Sequence, residues 1–326
     1  MTDLKQKILA GAAADLADIE TALAANLTPH VDLVKAIAGH ILFSGGKRLR
    51  PLLMLLSARL CGRDDAFCKT FSVIFEYLHA ATLLHDDVVD GARVRRSRPA
   101  AHTVWDSAVA VLTGDFLLAR ALSIAAEAES PPIIRTVAWV TENMSQGEIH
   151  QLSRKADVSL GEADYLEVIR CKTAVLFQGA CRSSAQLAEA APEAEHALAD
   201  YGHHLGMAFQ MADDLLDYEA DSAALGKTVG ADLREGKLTL PVIRALAVAG
   251  EEDRQFISAV IQNPDFSDTE FRRLHRMLVD TGGIAYTRAA AERHVETAIE
   301  ALAGFSASTT LDMLRDIARY ALVRGA

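Results

Sequence analysis

The segment EYLHAATLLHDDVVD occupies residues 76–90 and combines an apolar stretch with an acidic end. Its apolar residues recur at helical spacing, which predicts one buried helix from Phe67 to Val89. On that helix Asp86 and Asp90 are four residues apart, so their side chains lie on one face. The segment therefore predicts a helix that leads from an apolar core to a pair of carboxylates.

A second acidic motif repeats this layout farther along the chain, in FQMADDLLD at residues 209–217. Asp213 and Asp217 again share a helix face, and the preceding turns are apolar. Like charges at this spacing repel each other, and half-buried carboxylates require a compensating cation. Oxygen ligands without a cysteine partner favour Mg²⁺, which commonly also takes phosphate oxygens from a substrate. The alternative for each motif is a solvated helix end.

Three basic clusters accompany the acidic motifs. The sequence GGKRLRP at residues 45–51 places two glycines and three cations at a predicted helix start. Backbone N–H groups, the helix dipole and the cationic side chains together form an anion site. The clusters at 93–98 and 226–237 each follow one acidic motif. Cations beside a Mg²⁺ site predict a polyphosphate site, and the alternative is that each cluster is a solvated loop.

Several single polar residues are less informative. Lys172, Thr173 and Gln210 lie in helical stretches rich in apolar residues, where a polar side chain either serves a site or pairs structurally. His79 and His85 are six residues apart on one apolar helix, so they point to different faces. From this pattern alone, both histidines are expected to be buried structural residues.

The rest of the chain predicts an all-α fold. It has 326 residues, of which half are apolar and only 8 are proline, and strand-like alternation is nearly absent. Helical periodicity runs through most of it, which predicts a bundle of about ten helices in a single domain, residues 1–326. Acidic residues outnumber Lys and Arg by 44 to 33, a formal net charge of −11. This balance argues against a nucleic-acid-binding surface.

The sequence is also expected to lack a membrane-spanning segment. The apolar run from Ala108 to Ala126 contains Asp115 and Arg120, whose charges are costly within a bilayer. The first residues do not have the layout of a signal peptide. The four cysteines form no CxxC pair and are expected to be reduced. These features predict a cytoplasmic protein.

Taken in their order along the chain, the motifs resemble those of the trans-isoprenyl diphosphate synthases, also called polyprenyl synthetases. The pattern is most similar to that of the bacterial octaprenyl diphosphate synthases. The matching motifs are GGKRLRP (45–51), EYLHAATLLHDDVVD (76–90), RR (95–96), LTGDFLLARA (112–121), GEIHQL (147–152), KT (172–173), FQMADDLLD (209–217) and GKTVGADLREGKLTLP (226–241). The resemblance implies the all-α isoprenoid synthase bundle around a central cavity, usually as a homodimer.

The resemblance also implies the roles of individual residues. The catalytic residues would be Asp86, Asp87, Asp90, Asp213, Asp214, Asp217, Lys172 and Lys227. The ligands of about three Mg²⁺ ions bridging an allylic diphosphate would include Asp86, Asp90 and Asp213. The same diphosphate would contact Arg95, Lys172, Thr173, Gln210, Lys227 and Lys237. Isopentenyl diphosphate would be bound by Gly46, Lys47, Arg50, His79 and Arg96.

The implied reaction is sequential condensation of isopentenyl diphosphate onto an allylic diphosphate such as farnesyl diphosphate. The growing chain would pass the turns that precede Asp86. In this family bulky aromatic residues at those turns give short products, whereas Ala81 and Thr82 are small. Leu78 and Phe75 would line the tunnel a turn or two farther along. The resemblance therefore implies a long product of octaprenyl type, a precursor of quinone side chains.

Four other functions compete with this interpretation. A shorter-chain farnesyl or geranylgeranyl diphosphate synthase would carry the same motifs. A metal phosphohydrolase could use His85 and Asp86, but it would need further histidine ligands and would leave the second acidic motif unexplained. A terpene cyclase would share the fold but has no use for Lys47, Arg50 and Arg96. A non-catalytic helical partner subunit should have lost aspartates, and this chain retains all six.

Overall fold

The structure is a computed structural model that describes residues 2–219 and 230–323. Nearly all regular structure in these ranges is helical, which confirms the predicted all-α class. The first helices are α1 (Thr2–Gly11), α2 (Ala13–Asn26), α3 (Asp32–Leu42), α4 (Leu49–Leu60), α5 (Ala66–Ser72), α6 (Ile74–Val89), α7 (Ala101–Val104) and α8 (Ser107–Ala126). The extent of the predicted single domain, residues 1–326, stays a prediction.

The second half of the chain is also helical. Its helices are α9 (Pro131–Ser153), α10 (Glu162–Ile169), α11 (Val175–Leu187), α12 (Pro192–Glu219), α13 (Ala231–Arg234), α14 (Leu240–Val248), α15 (Glu251–Gln262), α16 (Asp268–Asp280), α17 (Gly283–Ala301) and α18 (Thr309–Tyr320). A π-helical turn at Arg170–Ala174 joins α10 to α11, and 3-10 turns follow α17 and α18 at Leu302–Gly304 and Ala321–Val323.

The described residues contain more than about ten helices. The helix predicted from Phe67 to Val89 divides at Val73 into α5 and α6, and α7 is separated from α8 at Asp106. At Asp106 the cause is local, because its carboxylate accepts a hydrogen bond from the Ala108 N–H at 2.8 Å. Such a cap satisfies a free donor at a helix start and favours a new helix there.

A short hairpin interrupts the helices after the first acidic motif. Strand β1 (Val94–Arg95) pairs antiparallel with β2 (Arg98–Pro99). Arg96 and Ser97 form the turn with φ of 51° and 61°. Positive φ at both central residues is typical of a type I′ hairpin turn. The sequence does not indicate this hairpin, because neither residue is glycine or asparagine.

Glycines bring α12 close to its neighbours in the bundle. A Cβ atom at Gly202 would lie 2.5 Å from the Phe177 carbonyl oxygen, and one at Gly206 would lie 2.5 Å from the Ala174 Cα. Side chains at these positions would push α12 away from α11 and from the π-helical turn. The two glycines therefore position the end of α12, which carries the second acidic motif.

Helix α8 is the one described helix that is long and apolar enough to cross a membrane by length and composition alone. Its Leu117 and Ala121 are fully buried, and the helix packs against α6. On its other side Leu112 is 65% exposed. Core helices of folded proteins commonly have this composition, so α8 reads as a core helix with one exposed apolar side.

Three histidines cluster between α12 and α17. The Nδ1 atoms of His204 and His294 are 2.8 Å apart, and the ring of His203 packs edge-on against that of His204. A hydrogen bond between two such nitrogens requires one ring to accept, so that ring must be neutral. Burial, followed by the neighbouring His204, lowers the pKa of both His203 and His294 to about 4. The cluster is therefore uncharged at neutral pH.

We expect this cluster to make the fold sensitive to acid. The unfolded chain binds a proton at His294 near pH 6.5, whereas the folded chain binds it only near pH 4. The free energy of unfolding therefore has its full value above about pH 6.5 and decreases as the pH falls toward about 4. When the pH is lowered from about 7.5 to about 5.5, the melting temperature of the wild type should fall. The fall should be about 2–4 °C smaller for the His294→Gln variant, which lacks this titrating group. The exposed His196→Gln variant on α12 is the control and should melt as the wild type does at each pH.

Candidate active site

A cavity of about 1270 Å³ lies between α4, α6, α9, α11, α12 and the π-helical turn. Most of the predicted site residues line it together: Gly46, Lys47, Arg50, Leu78, His79, Ala81, Thr82, Asp86, Asp90, Arg95, Arg96, Lys172, Thr173, Gln210, Asp213, Asp214 and Lys237. Three others do not line it, namely Phe75, Asp87 and Asp217. Lys227 lies outside the described residues. The cavity therefore unites motifs that are up to 190 residues apart in the chain, from 47 to 237.

Both acidic motifs lie in the last turns of their helices, α6 and α12. The C-terminal end of a helix carries a partial negative charge from its unpaired carbonyl groups. Six carboxylates are therefore concentrated where the backbone dipole already disfavours them. Such an arrangement is stable only with cations nearby, and the structure supplies several of them as Lys and Arg side chains.

In the first motif the three aspartates have different surroundings. Burial raises the pKa of Asp86 to about 6, against the nearby positive charge of Lys172. Asp87 is 1% exposed and accepts hydrogen bonds from Arg95, with Nε at 2.7 Å. Asp90 pairs with Lys237 at 3.1 Å. Asp86 and Asp90 thus face the cavity, whereas Asp87 holds Arg95.

The second motif includes a buried hydrogen-bond chain. Asp214 accepts from the Tyr165 hydroxyl at 2.6 Å and from the Gln210 amide at 2.7 Å. The side-chain amide oxygen of Gln210 in turn accepts a hydrogen bond from the Thr173 hydroxyl at 2.7 Å. Burial raises the pKa of Asp214. Asp213, by contrast, is exposed on the cavity wall.

Asp217 connects the two motifs through the segment 230–237. Its carboxylate accepts hydrogen bonds from the backbone N–H groups of Ala231 at 2.9 Å and Asp232 at 3.1 Å, which caps the short helix α13. The chain then continues to Lys237, whose ammonium lies 3.1 Å from Asp90. An aspartate of the second motif therefore positions a lysine that pairs with the first motif.

Lys172 lies in the π-helical turn that joins α10 to α11. Its ammonium is 2.5 Å from the Glu148 carboxylate and 2.8 Å from the side-chain amide oxygen, Oε1, of Gln151. Gly147 allows α9 to approach the π-helical turn closely. A Cβ at this position would lie 2.6 Å from Cys171 Cβ and 3.0 Å from the backbone nitrogen of Lys172. π-helical turns within α-helices are rare and are frequent at functional sites. The turn therefore presents Lys172 to the cavity.

Gly147→Ala is expected to displace the turn that carries Lys172. For the condensation that the resemblance implies, we expect kcat to fall about tenfold to a hundredfold, because a shift of about 1 Å in a positioning element can cost that much. Gly161→Ala is the matched control, since a Cβ there meets nothing within 4 Å. Steady-state kinetics on both variants would check this, and equal kcat values would contradict it.

The basic loop, residues 45–50 with the first residues of α4, also lines the cavity. The Lys47 ammonium lies 5.7 Å from the Tyr320 ring centroid, and the Arg50 guanidinium lies 4.8 Å from the Phe177 ring centroid. Arg96 donates a hydrogen bond to the Gly45 carbonyl oxygen, which ties the hairpin to the loop. Three predicted anion-binding side chains are thus gathered on one wall of the cavity.

His79 lies beside this basic loop rather than in an isolated core position. Burial, followed by the positive charges of Arg50 and Arg96, holds its pKa well below the usual range. The imidazole is therefore neutral and can accept or donate one hydrogen bond. His79 lines the cavity, and the role that the resemblance implies for it stays a prediction.

Apolar side chains continue the cavity beyond Asp86. Ala81 and Leu78 are five and eight residues before Asp86 on α6, about 8 and 12 Å along the helix. Facing residues on α8 and α9 include Leu118 and Met144. Phe75 is fully buried one turn farther along, and a Cβ at Gly179 would lie 2.7 Å from its ring. It belongs to the packing beneath the cavity.

The side chains fit a divalent cation that is shared with a phosphate ligand. In the part of the chain that the structure describes, no three His, Cys, Asp or Glu side chains form one metal cluster. Mg²⁺ commonly binds through only one or two protein carboxylates and takes its other oxygens from water and substrate phosphates. Asp86, Asp90 and Asp213 offer separate carboxylates around one cavity, as such sharing requires.

Sequence reasoning missed several residues of this site. Glu148 and Gln151 belong to the motif GEIHQL, which was matched without a role; their spacing of three on one helix face could have suggested a shared partner. Arg48 was counted among the cations but is 4% exposed and fully engaged in the protein. Tyr165 lines the cavity without any sequence signal, and Asp232 lines it from within the motif at 226–241, where it was given no role.

Known proteins resemble this chain along most of its length. Residues 31–278 match the sequence profile of the family described as polyprenyl synthetase. Over 323 residues the chain is 36% identical to an all-trans-nonaprenyl-diphosphate synthase (geranyl-diphosphate specific) of Rhodobacter capsulatus. The aligned residues cover 99% of this chain and 98% of that protein. Over 297 residues it is 38% identical to the octaprenyl diphosphate synthase of Escherichia coli K12, with coverage of 91% and 92%.

A solved structure shows the same fold. The crystal structure of a polyprenyl synthase from Caulobacter crescentus CB15, complexed with calcium and isoprenyl diphosphate, matches with a TM-score of 0.92 at 38% identity and covers 98% of each chain. The match to the family profile and the long, well-covered relatives lead to one conclusion. This chain belongs to the polyprenyl synthetase family.

Proposed function

We propose that this chain makes a long polyprenyl diphosphate by adding isopentenyl diphosphate repeatedly to an allylic diphosphate such as farnesyl diphosphate. The observation that carries the proposal is a single cavity in which two acidic motifs and a basic loop adjoin an apolar extension past Ala81. The relatives in Rhodobacter capsulatus and Escherichia coli, a nonaprenyl and an octaprenyl synthase, support a long product.

In this proposal Asp86, Asp90 and Asp213 hold divalent cations, which we take to be Mg²⁺. When bound, the cations would neutralise the charge that develops on the departing diphosphate. The calcium in the Caulobacter crescentus relative supports a divalent cation in this family. Asp87, Asp214 and Asp217 would act by positioning Arg95, Gln210 and the segment before Lys237.

Cationic side chains would complete the allylic diphosphate site. Lys172 and Lys237 are paired with Glu148 and Asp90 in the structure, so they would exchange these carboxylates for phosphate oxygens when the substrate binds. Arg95, Thr173 and Gln210 would contribute further hydrogen bonds. Lys227 keeps the same proposed role from the family resemblance. The positive charges of the lysines and of Arg95 would favour the negative charge that develops on the departing diphosphate.

Isopentenyl diphosphate would bind at the basic loop. Lys47, Arg50 and Arg96 would contact its diphosphate, with His79 and the Gly46 backbone beside them. The neutral imidazole of His79 would donate a hydrogen bond without adding charge. The double bond of this substrate would then lie next to the allylic carbon, since the residues proposed for both diphosphates line one cavity.

The apolar residues would hold the reacting carbon chain away from water, which would otherwise capture the allylic cation. Condensation is completed by loss of a proton. No protein base is assigned to that step, and the released diphosphate is the proposed acceptor. Leu78, Ala81 and Thr82 would then line the path of the growing chain.

Incubation with isopentenyl diphosphate and an allylic primer tests the proposal directly. Farnesyl and geranyl diphosphates are compared as primers with Mg²⁺, and the chain lengths of the products are separated by chromatography. We expect products longer than geranylgeranyl, and we expect a chelator to abolish them and added Mg²⁺ to restore them. Products that end at farnesyl or geranylgeranyl would establish the short-chain alternative. Phosphate release without prenyl transfer would establish a hydrolase, and inactivity of the purified chain would favour a partner subunit.

We also propose a homodimer formed through exposed apolar side chains of α7 and α8. Val104 on α7 and Leu112 and Leu122 on α8 are 50%, 65% and 37% exposed, and these helices pack against each other. Exposed apolar side chains concentrated on neighbouring elements are typical of a protein interface. A second copy of the chain is the proposed occupant, as in the family.

Leu112→Glu is expected to shift the protein from dimer to monomer, because the charge would have to be buried in the interface. Sedimentation velocity at micromolar concentration would measure the shift. Leu9→Glu is the control, since Leu9 is 49% exposed on α1 and away from these helices. A wild-type chain that sediments as a monomer, or a Leu112→Glu variant that still sediments as a dimer, would contradict the interface.

A cytoplasmic location is the last part of the proposal. The four cysteines are free thiols, three of them buried, which suits a reducing compartment. Fractionation of cells that produce the tagged chain would test the location. Recovery in the membrane fraction after a high-salt wash would contradict it.

A further inference from the structure

Arg48 differs from the other cations of the basic loop because the protein itself uses its guanidinium. It is 4% exposed and makes four hydrogen bonds. Two go to Glu20, from Nε at 2.6 Å and from Nη2 at 3.3 Å. The others go to Glu76 at 2.8 Å and to the Leu42 carbonyl oxygen at 2.6 Å. Since arginine has five N–H donors, little capacity is left for a substrate.

These contacts join three separate elements to the loop. Glu20 lies on α2, Leu42 ends α3, and Glu76 lies on α6 one turn before His79. Arg48 is also the residue before α4 and has φ of 48°, a conformation that non-glycine residues rarely adopt. Its side-chain contacts therefore fix a backbone conformation that the loop would not prefer by itself.

The loop fixed in this way is the one that presents the anion-binding side chains. Lys47 directly precedes Arg48 in the chain, and Arg50 follows it by two residues. Gly46 packs between two guanidinium groups, because a Cβ there would lie 3.1 Å from Arg48 Nη1 and 3.4 Å from Arg96 Nη1. A shift of the Arg48 side chain would therefore disturb both Gly46 and the spacing to Arg96.

We propose that Glu20 is a positioning residue for the isopentenyl diphosphate site, acting through Arg48. Helix α2 has no residue in the cavity wall, yet it supplies the carboxylate that makes two of the four hydrogen bonds to Arg48. Glu20 also offsets the charge of Arg48, which reduces its repulsion of the neighbouring Arg50 and Arg96. The inference rests on the proposed function of the basic loop.

Glu20→Gln tests the proposal without opening the core, because Glu20 is 48% exposed. Asp18→Asn is the matched control: Asp18 is on the same helix, is 42% exposed and pairs with Lys69 at 2.7 Å. We expect Glu20→Gln to raise KM for isopentenyl diphosphate about fivefold to tenfold, as the loss of a charge-assisted contact commonly does. KM for the allylic primer should stay within about twofold.

Further readouts separate positioning from general stability. Asp18→Asn should match the wild type in both KM values, and Glu20→Asp, which keeps the charge, should recover part of the loss. The proposal is overturned if Glu20→Gln has the wild-type KM for isopentenyl diphosphate, or if both KM values rise together with a lower melting temperature. An inactive wild-type chain would instead contradict the proposed function.

Discussion

Replacing Asp86 by alanine should lower kcat for prenyl transfer by at least about a thousandfold, and replacing Asp213 should do the same. Each variant removes a carboxylate of the cavity wall that is proposed to hold a divalent cation. Without that cation the leaving diphosphate keeps its charge, and the surrounding lysines compensate only in part. Single-turnover rates at saturating Mg²⁺, with both substrates, would measure the loss.

The loss should be separable from unfolding. Burial raises the pKa of Asp86 to about 6, so this carboxylate is unfavourably placed in the protein alone and its removal should not lower the melting temperature. Asp280→Ala, at an exposed position at the end of α16, is the control and should retain wild-type turnover. Near-normal prenyl transfer by either Asp86→Ala or Asp213→Ala would remove that residue from the metal site.

Replacing Ala81 by phenylalanine should shorten the product by several isoprene units while the rate of the first condensation stays high. Ala81 is 4% exposed, lines the cavity and lies about 8 Å from Asp86 along α6. A phenyl ring there would fill the path past Leu78 and Met144. Product chromatography after exhaustive incubation, with farnesyl diphosphate as the primer, would show the shift.

A graded series gives this prediction an internal control. Ala81→Val should shorten the product less than Ala81→Phe, since the added volume is smaller. Ala285→Phe adds the same ring at an exposed position of α17 and should leave the product length unchanged. An unchanged product distribution for Ala81→Phe would place the growing chain elsewhere.

The sequence predicted the parts of the site that depend on helical spacing. Asp86 and Asp90, four residues apart, do face one cavity with Asp213, because α-helical geometry alone decides which side chains share a face. Spacing could not predict that Asp87 would be buried against Arg95. That contact depends on a hairpin turn formed by two non-glycine residues with positive φ, at Arg96 and Ser97.

Residues whose role depends on tertiary contacts were harder to predict. His79 looked like a structural histidine because the loop that carries Arg50 is remote in sequence, and only the fold brings the two together. Nothing in the sequence distinguishes Glu148 from the other acidic residues. Its contact with Lys172 depends on the close approach of the two segments at Gly147. Spacing places Asp217 on one helix face with Asp213, but it could not predict that the Asp217 oxygens cap α13.

The π-helical turn at Arg170–Ala174 has a consequence for how this segment tolerates insertions and deletions. A π turn holds one residue more than an α-helical turn, so the residues after it are rotated by about 100° relative to an uninterrupted helix. Deleting one residue here would restore a regular helix through α10 and α11, but either Lys172 or the buried face of α11 would then turn away from its present neighbours. The contacts on both sides of this segment therefore fix its length.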